Sequence, residues 1–150
     1  MFGAERFCLV KGTAEGGTEL NAFDNALLDA GIGDLNLIKV SSIIPPGCRR
    51  EESLPKFPKG AFVPVVCVAH LGKVPGDTVA AALAVGIGPE GFGVVMEAKA
   101  VRGSEAEELA REMVKEAFKV RDLKLTKLWA LSAEHRVKRT GCALVACVYW

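Results

Sequence analysis

Apolar residues recur at helical spacing in two stretches of the chain. In residues 18–30 they recur every three or four positions until Gly31 ends the pattern. In residues 104–120 the apolar stripe is longer, and Ser104 with Glu107 is typical of a capping box at the start of a helix. Both stretches are therefore predicted to be helices that bury one face.

Six further segments have the continuous or alternating apolar pattern of strands. They are residues 7–10, 35–42, 61–71, 92–100, 125–135 and 142–150. The alanine-rich residues 77–85 fit either a short helix or a strand. The glycine-rich residues 12–17 and the proline-containing residues 45–60 are predicted to be loops, because proline fixes φ and lacks an N–H. Together the segments predict an α+β domain whose helices cover sheets.

The composition is that of one globular domain spanning residues 1–150. Half of the residues are hydrophobic and 25% are charged. The net charge of +1 carries no signature of binding to nucleic acid or to an anionic membrane, and no apolar stretch is long enough to span one. The first residues do not have the pattern of a secretion signal. Five cysteines without a C-x-x-C motif predict free thiols and a cytoplasmic location.

Two patterns that often carry chemistry have structural interpretations here. Residues 86–91 match the glycine spacing of a dinucleotide-binding loop, but that loop requires a following helix. The next residues have a strand pattern, so a turn is predicted instead. His70 and His135 lack nearby ligand partners in the sequence and are predicted to be packed or surface histidines.

Two adjacent serines, Ser41 and Ser42, stand at the end of an apolar strand, shortly before Pro45 and Pro46. One interpretation is that the serines simply end the strand and the prolines begin a loop. The other is self-cleavage, in which a serine hydroxyl attacks the carbonyl of the preceding residue and converts the amide into an ester. Elimination and hydrolysis would then leave a pyruvoyl group, and the reaction needs a held peptide and an oxyanion donor.

Several long segments resemble one family, the pyruvoyl-dependent arginine decarboxylases. They are residues 20–33, 36–46 (NLIKVSSIIPP), 54–64, 93–97 (GVVME) and 141–146. These segments occur in the same order as in the family, and the resemblance extends from about residue 10 to residue 150. It favours self-cleavage over the simple strand end.

The resemblance implies a self-cleaving proenzyme with a four-layer α/β/β/α sandwich fold. The cut would fall between Ser41 and Ser42, giving a β chain of residues 1–41 and an α chain of residues 42–150. The α chain would begin with a covalent pyruvoyl group derived from Ser42, and neither pyridoxal phosphate nor a metal ion is expected. The chain would assemble as a trimer or a dimer of trimers, with active sites between protomers.

The resemblance also implies roles for three polar residues. Glu97 matches the proton donor, Asp24 a substrate-binding position, and Asn36 a position that supports self-processing. Each has a simpler interpretation: Glu97 as a strand-end carboxylate, Asp24 as part of a helix cap begun by Asn21, and Asn36 as an edge or turn residue. Because an extended strand would separate Asn36 from Ser42 by about 20 Å, Asn36 requires either a sharp bend or a neighbouring protomer.

The function implied is decarboxylation of L-arginine to agmatine and CO₂, which would supply polyamine biosynthesis or acid and arginine metabolism. A carboxylate such as Asp24 suits the guanidinium of arginine through paired hydrogen bonds. Two alternatives remain open at this point. One is a pyruvoyl decarboxylase acting on another amino acid, and the other is a trimeric binding paralogue that never cleaves.

Overall fold

The computed structural model describes residues 3–150. Met1 and Phe2, on which the prediction of no secretion signal partly depends, lie outside the described residues. Within residues 3–150 the chain forms β1 (Arg6–Glu15), α1 (Glu19–Asp29), β2 (Asn36–Lys39), β3 (Ile43–Ile44), β4 (Arg49–Arg50), β5 (Phe62–Gly72), β6 (Thr78–Ile87), β7 (Gly93–Ala100), α2 (Gly103–Val120), β8 (Lys127–Arg136) and β9 (Gly141–Tyr149). None of the helices in this part of the chain has the length and apolar character needed to cross a membrane.

The strands form two sheets that pack face to face between the two helices. The first sheet has the order β2-β5-β9-β1-β4, and the second has the order β3-β7-β6-β8. Helix α1 packs against the outer face of the first sheet, and α2 packs against the outer face of the second. The α+β class and the four-layer α/β/β/α sandwich implied by the resemblance are both confirmed.

Strand β9 lies at the centre of the first sheet and is buried on both faces. Its residues alternate between a cluster under α1 (Cys142, Leu144, Ala146 and Val148) and the layer between the sheets (Ala143, Val145, Cys147 and Tyr149). It pairs antiparallel with β1 on one side and with β5 on the other. Because both faces meet apolar layers, this strand is continuously apolar rather than alternating.

The alanine-rich segment that fitted either a helix or a strand is strand β6. It runs between β7 and β8 in the middle of the second sheet. Leu83 and Val85 face the first sheet, while Ala84 lies in the cluster under α2. The first two residues of the segment 86–91 end β6, and Pro89–Gly91 form a short 3₁₀ turn before β7, as the strand pattern after it predicts.

The capping box predicted at the start of α2 is wrong. The helix begins at Gly103, whose N–H donates to Glu134 Oε2 of β8 at 2.7 Å. Glu107 instead accepts a hydrogen bond from the hydroxyl of Ser132, also on β8, at 2.7 Å. The neighbouring strand therefore supplies the cap, because the Glu134 carboxylate accepts one of the free N–H groups at the start of the helix.

His70 joins the two sheets by a hydrogen bond. Its Nδ1 atom lies 3.1 Å from the carbonyl oxygens of both Ala80 and Ala100, on β6 and β7. Since both neighbours are acceptors, Nδ1 carries the hydrogen. The prediction of a packed rather than metal-binding histidine agrees with this geometry.

His135 is paired with Glu15 at the end of β1. The two side chains approach to 2.7 Å, and the other carboxylate oxygen of Glu15 accepts the backbone N–H groups of Lys138 and Arg139. Although burial acts in the opposite direction, these hydrogen bonds lower the pKa of Glu15. The carboxylate thus holds the β8–β9 turn against β1.

Gly12 lies inside β1, so the prediction of a loop over residues 12–17 is wrong for its first part. Helix α1 crosses the strand at this point with its backbone almost touching Gly12. A Cβ there would meet the Ala26 carbonyl oxygen and would lie 2.8 Å from the Ala30 nitrogen. Gly12 is therefore needed for close helix–sheet approach, and the strand continues to Glu15.

We expect Gly12→Ala to lower the free energy of unfolding by about 1–3 kcal/mol, because backbone atoms of α1 would have to move away from the sheet. Gly17→Ala is the matched control, since a Cβ at Gly17 meets no atom within 4 Å. Chemical denaturation of the two variants checks the prediction. Equal stability of both variants would contradict the close approach described here.

Candidate active site

The segment after α1 passes from the first sheet to the second and back within fifteen residues. Strand β2 pairs with β5 in the first sheet, β3 pairs with β7 in the second, and β4 returns to pair with β1. Ser41 and Ser42 lie between β2 and β3. The peptide bond between the two serines is therefore where the chain crosses from one sheet to the other.

Backbone hydrogen bonds fix the chain on both sides of this crossing. Before it, the Val40 N–H donates to the Val65 carbonyl of the first sheet at 3.0 Å. After it, the Val95 N–H of the second sheet donates to the Ser42 carbonyl at 2.9 Å. Ser41 is exposed and Ser42 half-buried. The serine pair is thus held by a hydrogen bond on each side, while both serines stay near the surface.

A tight turn follows the two residues of β3. The Cys48 N–H donates to the Pro45 carbonyl at 3.1 Å, and Gly47 has a φ of 84°. Pro46 and Gly47 occupy the two central positions that these residues favour in a type II turn. The prolines therefore direct the chain back to the first sheet immediately after the serine pair.

Strand β7 brings Glu97 close to Ser42. The residue that binds the Ser42 carbonyl is Val95. Glu97 lies two positions further along β7 on the same face, about 7 Å from Val95 along the strand. Glu97 itself is exposed on its own chain. A carboxyl group that acts as a general acid is often partly buried, which keeps part of it protonated, and a single chain does not bury Glu97 in this way.

Asp24 and Asn36 share a cleft between α1 and β2. The cleft has a volume of about 510 Å³, and its walls also include Phe23, Leu27 and Lys39. Ser42 and Glu97 lie outside it. The structure therefore brings the four predicted polar residues together as two pairs, Asp24 with Asn36 and Ser42 with Glu97.

Asp24 does not cap α1. The N-cap is Thr18, whose hydroxyl accepts the Asn21 N–H at 3.1 Å, so the cap that would begin at Asn21 is wrong. Asp24 sits one turn further into the helix, with an exposed side chain that faces the cleft. Its charge is available to a ligand because the helix end does not use it.

Asn36 begins a straight strand and is held at the strand's start. Its side-chain Nδ2 donates to the Gly60 carbonyl at 2.7 Å, and its backbone N–H donates to Ala61. Pairing with β5 continues as far as Val40, about 13 Å along the strand. The chain bends only after that, so no sharp bend returns Asn36 to its own Ser42.

The wall of the cleft includes a thiol, that of Cys67. This thiol lines the cleft and is buried, and burial raises its pKa to about 11. The Lys39 ammonium opposes the rise and the Glu97 carboxylate adds to it. Glu97 itself is not part of the cleft wall.

Some contributors to the site have no signal in the sequence. Val95 acts through a backbone N–H, and only the strand pairing reveals where that group points. Phe23 and Lys39 line the cleft, yet nothing in the sequence marks them beyond their places beside Asp24 and on β2.

Exposed apolar side chains surround the two pairs of polar residues. Ile38, Val40 and Ile43 are exposed on either side of the serine pair, and Phe62 of β5 is 76% exposed. Clustered apolar side chains on a surface are typical of an interaction site. The site therefore lies in a surface patch that is unusually apolar.

Comparison with known proteins identifies the family of the chain. The sequence profile of the family described as pyruvoyl-dependent arginine decarboxylase matches residues 6–150. A protein of that name from Methanocaldococcus jannaschii is 43% identical over 145 residues, which cover 95% of this chain and 87% of the relative. One from Pyrococcus horikoshii is 46% identical over 143 residues, covering 93% and 90%. One from Methanococcus maripaludis is 40% identical over 145 residues, covering 95% and 88%. The chain therefore belongs to the pyruvoyl-dependent arginine decarboxylase family.

Proposed function

We propose that this protein decarboxylates L-arginine to agmatine and CO₂ after cutting its own chain between Ser41 and Ser42. Family membership supports the reaction. The observation that carries the proposal is the placement of the Ser41–Ser42 peptide, which is anchored to both sheets and borders the strand that carries Glu97. Agmatine would enter polyamine biosynthesis or arginine metabolism, and a cytoplasmic location agrees with five free cysteines.

Maturation begins with the Ser42 hydroxyl attacking the carbonyl carbon of Ser41. The C–N bond breaks, the hydroxyl proton passes to the Ser42 nitrogen, and an ester joins the two residues. Loss of the Ser42 Hα and departure of the Ser41 carboxylate leave a dehydroalanine. Water then replaces its nitrogen, which leaves as ammonia. The products are a β chain of residues 1–41 and an α chain of residues 42–150 that begins with the pyruvoyl group.

The surroundings of Ser42 fit such a group. The carbonyl of residue 42 would become the amide carbonyl next to the keto group, and the Val95 N–H already binds it. The pyruvoyl group supplies an electron sink for the electrons that the departing CO₂ leaves behind. Val95 orients the residue that carries the group, and Glu97 delivers a proton to the substrate carbon that has lost CO₂.

Asp24 binds the guanidinium of the substrate. Its carboxylate can accept two parallel hydrogen bonds from a planar guanidinium, a match that an ammonium does not provide. Phe23 and Leu27 of the same cleft offer apolar surface to the methylene groups of the substrate. This division of roles favours arginine over shorter amino acids that lack a distal cation.

A second copy of the chain completes the site. On one chain, Asp24 and Asn36 lie in the cleft, while Ser42 and Glu97 lie at the second sheet. In the proposed trimer, the cleft of one protomer faces Ser42 and Glu97 of its neighbour. The exposed side chains of Ile38 and Phe62 would then be covered, and Glu97 would gain the burial that its own chain does not give. Asn36 would support cleavage across the interface. Two such trimers could pair.

We expect Ser42→Ala to leave a full-length chain, because alanine lacks the attacking hydroxyl. Ser41→Ala is the matched control and should impair cleavage less, since the reaction uses the carbonyl of residue 41 and not its hydroxyl. A denaturing gel and intact-mass analysis of both variants check this. Two fragments from Ser42→Ala would overturn the self-cleavage assignment.

Glu97→Gln should mature normally but lose turnover by about 10²–10⁴-fold, the range for removing a general acid. Glutamine keeps the shape of the side chain and lacks a transferable proton. Glu108→Gln, at an exposed position on α2, is the control. Steady-state kinetics on fully cut protein measure the effect, and an unchanged kcat for Glu97→Gln would remove the proton-donor role.

Asp24→Asn should raise KM for arginine while cleavage stays normal, because it weakens one charge-assisted contact to the guanidinium. The expected loss is about 1.5–3 kcal/mol of binding. Glu19→Gln removes a charge from the same helix outside the cleft and should leave KM unchanged. If Asp24→Asn and Glu19→Gln gave the same KM, Asp24 would have no role in binding arginine.

A further inference from the structure

The carbonyl of Ser41 already accepts a hydrogen bond in the uncut chain. Its donor is the backbone N–H of Ile43, two residues later, at 2.9 Å. Such a bond closes a γ-turn centred on Ser42. The carbon of this carbonyl is the atom that the Ser42 hydroxyl must attack, so the Ile43 N–H contacts the reacting group directly.

The Ile43 N–H is free to make this contact because the sheet does not use it. Ile43 pairs with Val94, and the Val95 N–H bonds to the residue before Ile43. That arrangement identifies Ile43 and Val94 as a non-hydrogen-bonded pair, in which the N–H of each residue points away from the partner strand. The Ile43 N–H therefore points out of the second sheet and towards the serine pair.

The flanking residues keep the donor aligned with the carbonyl. Val40 is bound to the first sheet and the Ser42 carbonyl to the second, so the peptide between them has little freedom to rotate. Preorganised donors of this kind stabilise charge without reorganising during the reaction. The geometry is therefore set before the serine hydroxyl attacks.

We propose that the Ile43 backbone N–H is an oxyanion donor for cleavage of the Ser41–Ser42 bond, an inference that rests on the proposed function. When the Ser42 Oγ bonds to the Ser41 carbonyl carbon, the carbonyl π pair moves onto oxygen as negative charge. The Ile43 N–H stabilises that charge. The pair then re-forms the carbonyl as the C–N bond breaks, and the Oγ proton ends on the Ser42 nitrogen, so the step needs no other reagent.

This role is separate from that of Asn36. Asn36 would act from a neighbouring protomer, whereas Ile43 belongs to the same chain as the bond being cut. The donor is also a backbone group, so residue identity at position 43 matters only if it removes the N–H.

The decisive experiment replaces the Ile43 N–H by an ester oxygen in the full-length chain, by incorporating the α-hydroxy analogue of isoleucine. After refolding, the rate of cleavage between Ser41 and Ser42 is measured by intact-mass analysis. We expect this rate to fall by about 10²-fold. The matched control is the same substitution at Ile44, which removes a ladder hydrogen bond to Gly93 but no contact to the Ser41 carbonyl. That chain should cut within a few-fold of the unmodified rate.

Two ordinary variants keep the inference testable if the ester chain fails to fold. Ile43→Pro also removes the N–H and lies at the start of an edge strand, where proline is tolerated. Ile43→Val keeps the N–H. We expect Ile43→Pro to fold and cut slowly, with Ile43→Val close to the unmodified rate.

Three results would overturn the inference. The first is a normal cleavage rate in the chain with the Ile43 ester or in Ile43→Pro. The second is an equal loss of cleavage rate with the ester at Ile43 and with the ester at Ile44. The third is a loss of cleavage rate in Ile43→Val as large as that in Ile43→Pro. The proposed function fails differently: an unmodified chain that folds and stays whole would remove self-cleavage itself, and the inference with it.

Discussion

The packing of two sheets face to face imposes the constraint on which the site depends. Each sheet buries an apolar face against the other, and any chain that contributes strands to both must cross the gap between them. Between β2 and β3 the crossing takes place at Ser41–Ser42, with a strand anchored on either side. A peptide held between two rigid layers cannot relax as a loop peptide would, so the same packing that stabilises the fold also holds the bond proposed to be cut.

The sequence predicts the parts of this fold in which burial is long and regular. Strand β9, helix α2 and the turn at residues 86–91 follow from apolar periodicity and its interruptions. The two-residue strands β3 and β4 do not, because segments so short have no period and exist only through their partners. Gly12 is not predictable for a related reason: in the sequence, a glycine that allows a helix to cross close to a strand cannot be told from a glycine that ends the strand.

The parts of the candidate site that consist of side chains can be predicted from the sequence, whereas the parts that consist of backbone groups cannot. Ser42, Glu97, Asp24 and Asn36 stand out as reactive or polar residues in segments that resemble one family. Their division into two pairs on one chain could not be predicted, since it depends on which sheet each strand joins. The hydrogen bonds donated by Val95 and Ile43 could not be predicted from the sequence either. Every residue except proline has the same backbone N–H, and only strand pairing decides where that group points.

Because of strand β1, the proposed self-cleavage would have a lasting effect on how the molecule folds. It pairs with β9 along the whole ladder from Phe7–Tyr149 to Glu15–Gly141, yet a cut after Ser41 would leave these two strands on different polypeptides. The mature protein would then be a complex in which one chain provides an inner strand of the other's sheet. Unfolding would release two molecules instead of one, so its midpoint would depend on protein concentration. Only the uncut chain would then fold as a unimolecular reaction, and the connection that allows this would be used once and then lost.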